Sequence, residues 1–77
     1  MITLAKLRWQ CRRGTKELDY LLLRYVDYGY ALADDEEIAL FIELLALEDD
    51  VLIEVLLGEL IVEIKAMKVL VGKIRAG

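Results

Sequence analysis

Trp9–Asp19 reads W-Q-C-R-R-G-T-K-E-L-D and holds most of the side chains in this chain that could do chemistry or grip another molecule. Two guanidiniums, Arg12 and Arg13, precede Gly14, and the carboxylate of Glu17 follows it by three positions. Arginine carries a planar fork of donors and an ionised glutamate only acceptors. Glycine adopts the left-handed conformation that closes a helix. The block therefore predicts a tight corner between two helices, with charge of both signs on its outer side. Local spacing leaves two readings open. In one, the arginines and Glu17 each gain about 0.3–1 kcal/mol from the helix dipoles and Gly14 is only a cap. In the other, Arg13 and Glu17 point outward and hydrogen-bond to a partner whose backbone approaches closely at Gly14. Trp9, at the edge of the apolar stripe, is either a core flank or a contact residue.

Little else could catalyse a reaction. The chain has no His, Pro, Ser or Asn, so it lacks an imidazole base and imidazole metal ligands. Cys11 sits on an apolar helical face and reads as a small buried hydrophobe. A reactive thiol would need exposure as well as nearby arginines. The run Asp34, Asp35, Glu36 and Glu37 lacks the glycine and alternating spacing of a calcium loop, and reads as a capped, solvated helix start. No constellation for an enzyme or a metal site emerges.

The elements that position the corner are helical. Apolar residues recur at helical spacing nearly everywhere, and no strand alternation appears. Leu4, Leu7 and Cys11 predict a first helix over Thr3–Arg13. Thr15 is a suitable N-cap for a second, with Leu18, Leu21, Leu22 and Tyr25 on one face and an end near Gly29. A Tyr-rich connection, Tyr28–Ala33, follows, and Tyr25, Tyr28 and Tyr30 are expected to cluster. Asp34 with Glu37 resembles a capping box opening a third helix, whose core stripe is Ile38, Phe41, Ile42 and Leu45. Asp49 or Asp50 caps a short fourth helix through Leu57, with Leu52, Val55 and Leu56 inward and Gly58 at its end. Leu60, Ile64, Met67, Val71 and Ile74 predict a fifth. The expected architecture is all-α, a compact five-helix bundle forming one domain over residues 1–77, with short connections favouring antiparallel neighbours.

Hydrophobic residues are 58% of the 77, which excludes disorder. The longest uncharged run is Tyr28–Ala33, far below the roughly 20 apolar residues of a spanning helix, so no membrane association is expected. Residues 1–24 hold six basic and two acidic side chains, 25–63 hold twelve acidic and none basic, and 64–77 hold four basic and none acidic. Either the basic ends lie against the acidic middle, or a basic patch faces an acidic partner. Nucleic acid is not expected, because the chain is acidic overall and its aromatics do not interleave with basic residues. A lone cysteine and the lack of a secretory signal suggest a cytoplasmic protein.

The block W-x-C-R-R-G-x-x-E-L-D resembles the signature of the small flavinylation factors that assemble succinate dehydrogenase and fumarate reductase. Their R-G-x-x-E motif falls on Arg13, Gly14 and Glu17. The resemblance continues through Tyr30, an acidic helix start leading to Phe41, then Leu44–Leu45, Asp49–Asp50 and Leu52, spanning about residues 8–58. It departs at Thr15, often methionine in the family, at Val55, commonly tryptophan, and in an apolar tail after Gly58 without proline. The resemblance implies a five-helix chaperone, not an enzyme. Such a chaperone binds the flavoprotein subunit and promotes covalent attachment of FAD to one of that subunit's histidines. FAD would belong to the partner, with none bound stably by this chain. The implied partner-binding residues are Arg13, Gly14 and Glu17, with Arg12, Trp9 and Asp19 of the same block. A monomer is favoured. The alternative is a helical protein–protein interaction module unrelated to flavin, homodimeric through the fifth helix.

Overall fold

Five α-helices and one 3-10 turn carry the chain, in a computed structural model that describes residues 3–60 and 62–76. They are α1 (Leu4–Gln10), α2 (Lys16–Tyr28), the 3-10 turn (Tyr30–Leu32), α3 (Asp35–Leu45), α4 (Asp49–Leu56) and α5 (Lys65–Ala76). No strand occurs among the described residues. The expected all-α architecture is the observed one.

Side-chain caps open α1 and α3. Thr3 accepts from the Lys6 N–H at 3.2 Å to open α1, and Asp34 accepts from the Glu37 N–H at 2.8 Å to open α3. The capping box is only half made. The Glu37 carboxylate does not return to Asp34 but accepts from the Tyr25 hydroxyl at 2.5 Å and from Lys73 Nζ at 2.6 Å. Glu48 takes the N-cap position of α4, one residue before the aspartates expected there. Gly58 follows that helix with its N–H bonded to the Ile53 carbonyl at 3.0 Å.

One hydrophobic cluster draws buried residues from every helix: Leu7 of α1; Leu18, Leu22, Tyr25 and Val26 of α2; Phe41, Leu44 and Leu45 of α3; Leu52, Val55 and Leu56 of α4; Leu70, Val71 and Ile74 of α5. Cys11, just past α1, joins them. Tyr25 and Phe41 stack at a tilt with centroids 4.6 Å apart. Of the three tyrosines expected to cluster, Tyr25 is buried and Tyr30 packs against the same core, whereas Tyr28 is 77% exposed.

Two expected stripes shift. In α3 the buried face is Phe41, Leu44 and Leu45, while Ile42 is partly exposed. Leu40 and Ile42 lie about 100° to either side of Phe41, so both are flanks of a face centred on it. In the C-terminal region α5 starts at Lys65, not near Leu60. Leu60 and Ile64 are exposed and lie outside any helix, and it is from Lys65 onward that α5 lies against α2, α3 and α4. Met67, Val71 and Ile74 keep the inward register predicted for them, joined by Leu70.

Candidate functional site

The corner between α1 and α2 is built on Gly14, whose φ of +85° is the sole left-handed value among the described residues. α1 ends earlier than its apolar stripe suggests, with Cys11 as C-cap. Residues 12–15 therefore form the turn. Thr15 occupies the N-cap position of α2, but its side chain makes no capping bond. The carboxylate of Asp19, in the first turns of α2, instead holds the turn that precedes the helix. Its Oδ1 accepts from the Arg13 N–H at 2.7 Å, and its Oδ2 from the Gly14 N–H at 3.3 Å.

Arg13 corrects an expectation. Its guanidinium turns inward across the fold, not outward to a partner, and its side chain is 16% exposed. Nε donates to the Gln10 carbonyl at 2.9 Å, Nη2 to the Leu45 carbonyl, and Nη1 to the Leu47 carbonyl at 3.4 Å and to Asp49 Oδ1 at 3.1 Å. The reason is electrostatic. α3 has no basic residue in its last turn. The carbonyls of Ile42, Glu43 and Leu44 take the N–H groups of Ala46 and Leu47, and a planar fork reaching over from the corner supplies the donor for the Leu45 carbonyl that follows them. Asp19 is half-buried, with its carboxylate on the amides of the turn.

The other residues of the block do face solvent. Arg12, Gly14 and Glu17 are exposed, and Trp9 is 74% exposed, which settles its two readings in favour of a surface position. Between Trp9, Arg12 and the end of α3 runs an open groove of about 370 Å³, floored by Ile42, Leu45 and Ala46. An indole standing over an apolar groove with a guanidinium at its rim is the composition typical of a protein-binding patch. Cys11 lies beneath the corner with no exposed surface. Burial pushes its thiol up to about 11, against the lowering pull of Arg13 and Arg8. It is therefore protonated and inert at neutral pH. Among the described residues no group of three or more Cys, Asp or Glu side chains is arranged to hold a metal ion.

The Sdh5 family, described as the flavinator of succinate dehydrogenase, matches residues 5–77. This chain belongs to that family. Among its relatives is the FAD assembly factor SdhE of Xylella fastidiosa (strain 9a5c), 40% identical over 73 residues that cover 95% of this chain and 75% of the relative. The FAD assembly factor SdhE of Methylococcus capsulatus is 42% identical over 72 residues, covering 94% and 87%. That of Coxiella burnetii is 37% identical over 70 residues, covering 91% and 85%. No solved structure matches the chain. The Sdh5 match extends past Gly58 through α5, so the apolar tail belongs to the family's domain despite its departures.

Within this Sdh5 domain, the R-G-x-x-E residues divide. Gly14 and Glu17 are presented to solvent, and Arg13 is folded in. The reading of the sequence missed, as site residues, Ile42 of α3 and Ala46 at its C-cap, which line the groove with Trp9. One signal was available. Ile42 lies a full residue step away from Phe41 on a helix whose opposite flank, Leu40, is apolar too, so one of the two had to reach the surface.

Proposed function

We propose that this protein is an assembly chaperone. It binds the flavoprotein subunit of succinate dehydrogenase or fumarate reductase and promotes covalent attachment of FAD to a histidine of that subunit. The chemistry belongs to the partner, which supplies both the reacting histidine and the flavin. This chain has no histidine and needs none. Its part is to bind preferentially the conformation in which the partner's histidine and flavin react, and so to raise that conformation's population. Each tenfold shift requires about 1.4 kcal/mol of differential affinity, within reach of one small interface.

A single observation carries the reading: a member of a flavinator family keeps Trp9, Arg12, Gly14 and Glu17 exposed together on one corner while the rest of the motif is folded inward. Trp9 and Ile42 offer apolar area, and Arg12 and Glu17 offer charge of both signs. Gly14 has nothing within 4 Å of the position a Cβ would take, so a partner's backbone can approach it closely.

Co-expression with an apo flavoprotein tests this. Covalent flavin, read as fluorescence of the denatured flavoprotein band, rises with the wild-type chain and falls back with Glu17→Ala or Gly14→Glu. No increase over the flavoprotein alone overturns the chaperone role. Full activity in both variants, shown to be folded, removes the corner as its site.

A further inference from the structure

The structure assigns Asp19 to a positioning role: its carboxylate holds the Gly14 turn in the conformation that docks, without itself touching the flavoprotein. This rests on the chaperone reading above.

The Gly14 turn has few other restraints. It is exposed, nothing packs within 4 Å of its Cβ position, and the Thr15 hydroxyl makes no cap. Glycine populates left- and right-handed backbone about equally, so an unheld turn would spread over several conformations. Two groups hold it. Asp19 takes the N–H of Arg13 and of Gly14, one on each carboxylate oxygen. Arg13 anchors the same residues to the ends of α3 and α4 from the other side. Each oxygen of Asp19 already takes one N–H of the turn, and the residue is half-buried. Glu17, two positions earlier, is exposed. Asp19 thus fixes the turn, and Glu17 and the Gly14 backbone are what the turn displays. A partner meets the docking conformer at a fraction set by Asp19, and apparent affinity scales with that fraction.

Two measurements on Asp19→Ala and Asp19→Asn test the assignment: amide exchange of the free protein, and Kd for the apo flavoprotein. In Asp19→Ala the Arg13 and Gly14 amides are expected to exchange about tenfold faster while the Leu22 and Tyr25 amides of α2 keep their protection. Kd is expected to rise by a similar factor, about tenfold. Asp19→Asn keeps one acceptor oxygen and falls between wild type and Asp19→Ala in both. A loosened turn with unchanged Kd would make Asp19 merely structural and overturn the proposal. A weakened Kd with unchanged exchange would make it a direct contact and overturn it as well. Loss of α2 protection in both variants would show that Asp19 serves the fold at large, and ends the proposal too. If the wild-type chain does not bind the flavoprotein, the chaperone reading fails first, a result visible before any variant is made.

Discussion

Arg12 and Arg13 are the same residue type at adjacent positions, and their environments are opposite. Arg12 is exposed, whereas Arg13 reaches the carbonyls of Gln10, Leu45 and Leu47 and the carboxylate of Asp49. Nothing local distinguishes them. The choice is made by where the α3–α4 connection lies, which is a tertiary fact more than thirty residues away. That is why the corner itself was legible from Gly14 and the helix periodicities, while the direction of its guanidinium was not. The consequence is measurable in the free protein. Removing Arg13 leaves partly buried carbonyls without a donor, at a cost of about 1–3 kcal/mol. Arg13→Ala should lower the urea midpoint accordingly, and Arg12→Ala should stay within about 0.5 kcal/mol of wild type. Arg13→Lys should recover only part of the loss, because an ammonium presents its donors from one nitrogen and cannot span the four acceptors that the guanidinium reaches with three. Equal stability of the two alanine variants would contradict the inward clamp.

Two helices in this fold are finished by residues borrowed from distant parts of the chain, a pattern that propensity within one segment cannot reveal. Arg13 closes α3, and Arg24 of α2 closes α5 by donating to the Ile74 carbonyl at 2.9 Å. Glu37 belongs to the same class. Predicted as the second half of a capping box, it instead ties α3 to α2 and α5 through Tyr25 and Lys73. The start of α3 was legible because Asp34 acts locally; the role of Glu37 was not, because its partners are distant in sequence. The Lys73 and Tyr25 hydrogen bonds hold its carboxyl below the usual range, outweighing the opposing effect of burial. A carboxyl with a lowered folded pKa adds stability that is fully present above its unfolded value of about 4.3 and is lost as pH falls through the folded value. Glu37→Gln should therefore cost about 1 kcal/mol at pH 7, with Lys73 half exposed and its pairing partly screened. The difference from wild type should hold down to pH 5 and shrink below pH 4. A gap that widens on acidification would reverse the sign and rule out the network.

Across the whole molecule, the charge segregation visible in the sequence is resolved inside the fold. Each ion pair among the described residues joins a basic end segment to the acidic middle: Arg8 with Asp27, Arg13 with Asp49, and Lys73 with Glu37. Such partly exposed pairs add little stability individually, so what holds the assembly is the shared core, and α5 is its closing element. α5 lies against α2, α3 and α4 and inserts Leu70 and Ile74, each 1% exposed. A chain of this length has a total stability of roughly 4–12 kcal/mol, while truncating a fully buried leucine to alanine removes about 2–5. Leu70→Ala should therefore consume a large share of the margin and lower the thermal midpoint by about 8 °C or more, since about 1 kcal/mol moves a domain of this size by about 4–8 °C. Trp9→Ala, at an exposed position, should leave the midpoint nearly unchanged. Far-UV ellipticity should report a single transition in both variants, because residues from all five helices share one cluster. If Leu70→Ala instead melted α5 alone and left the other helices standing, α5 would be an appendage to the fold and not the element that completes it.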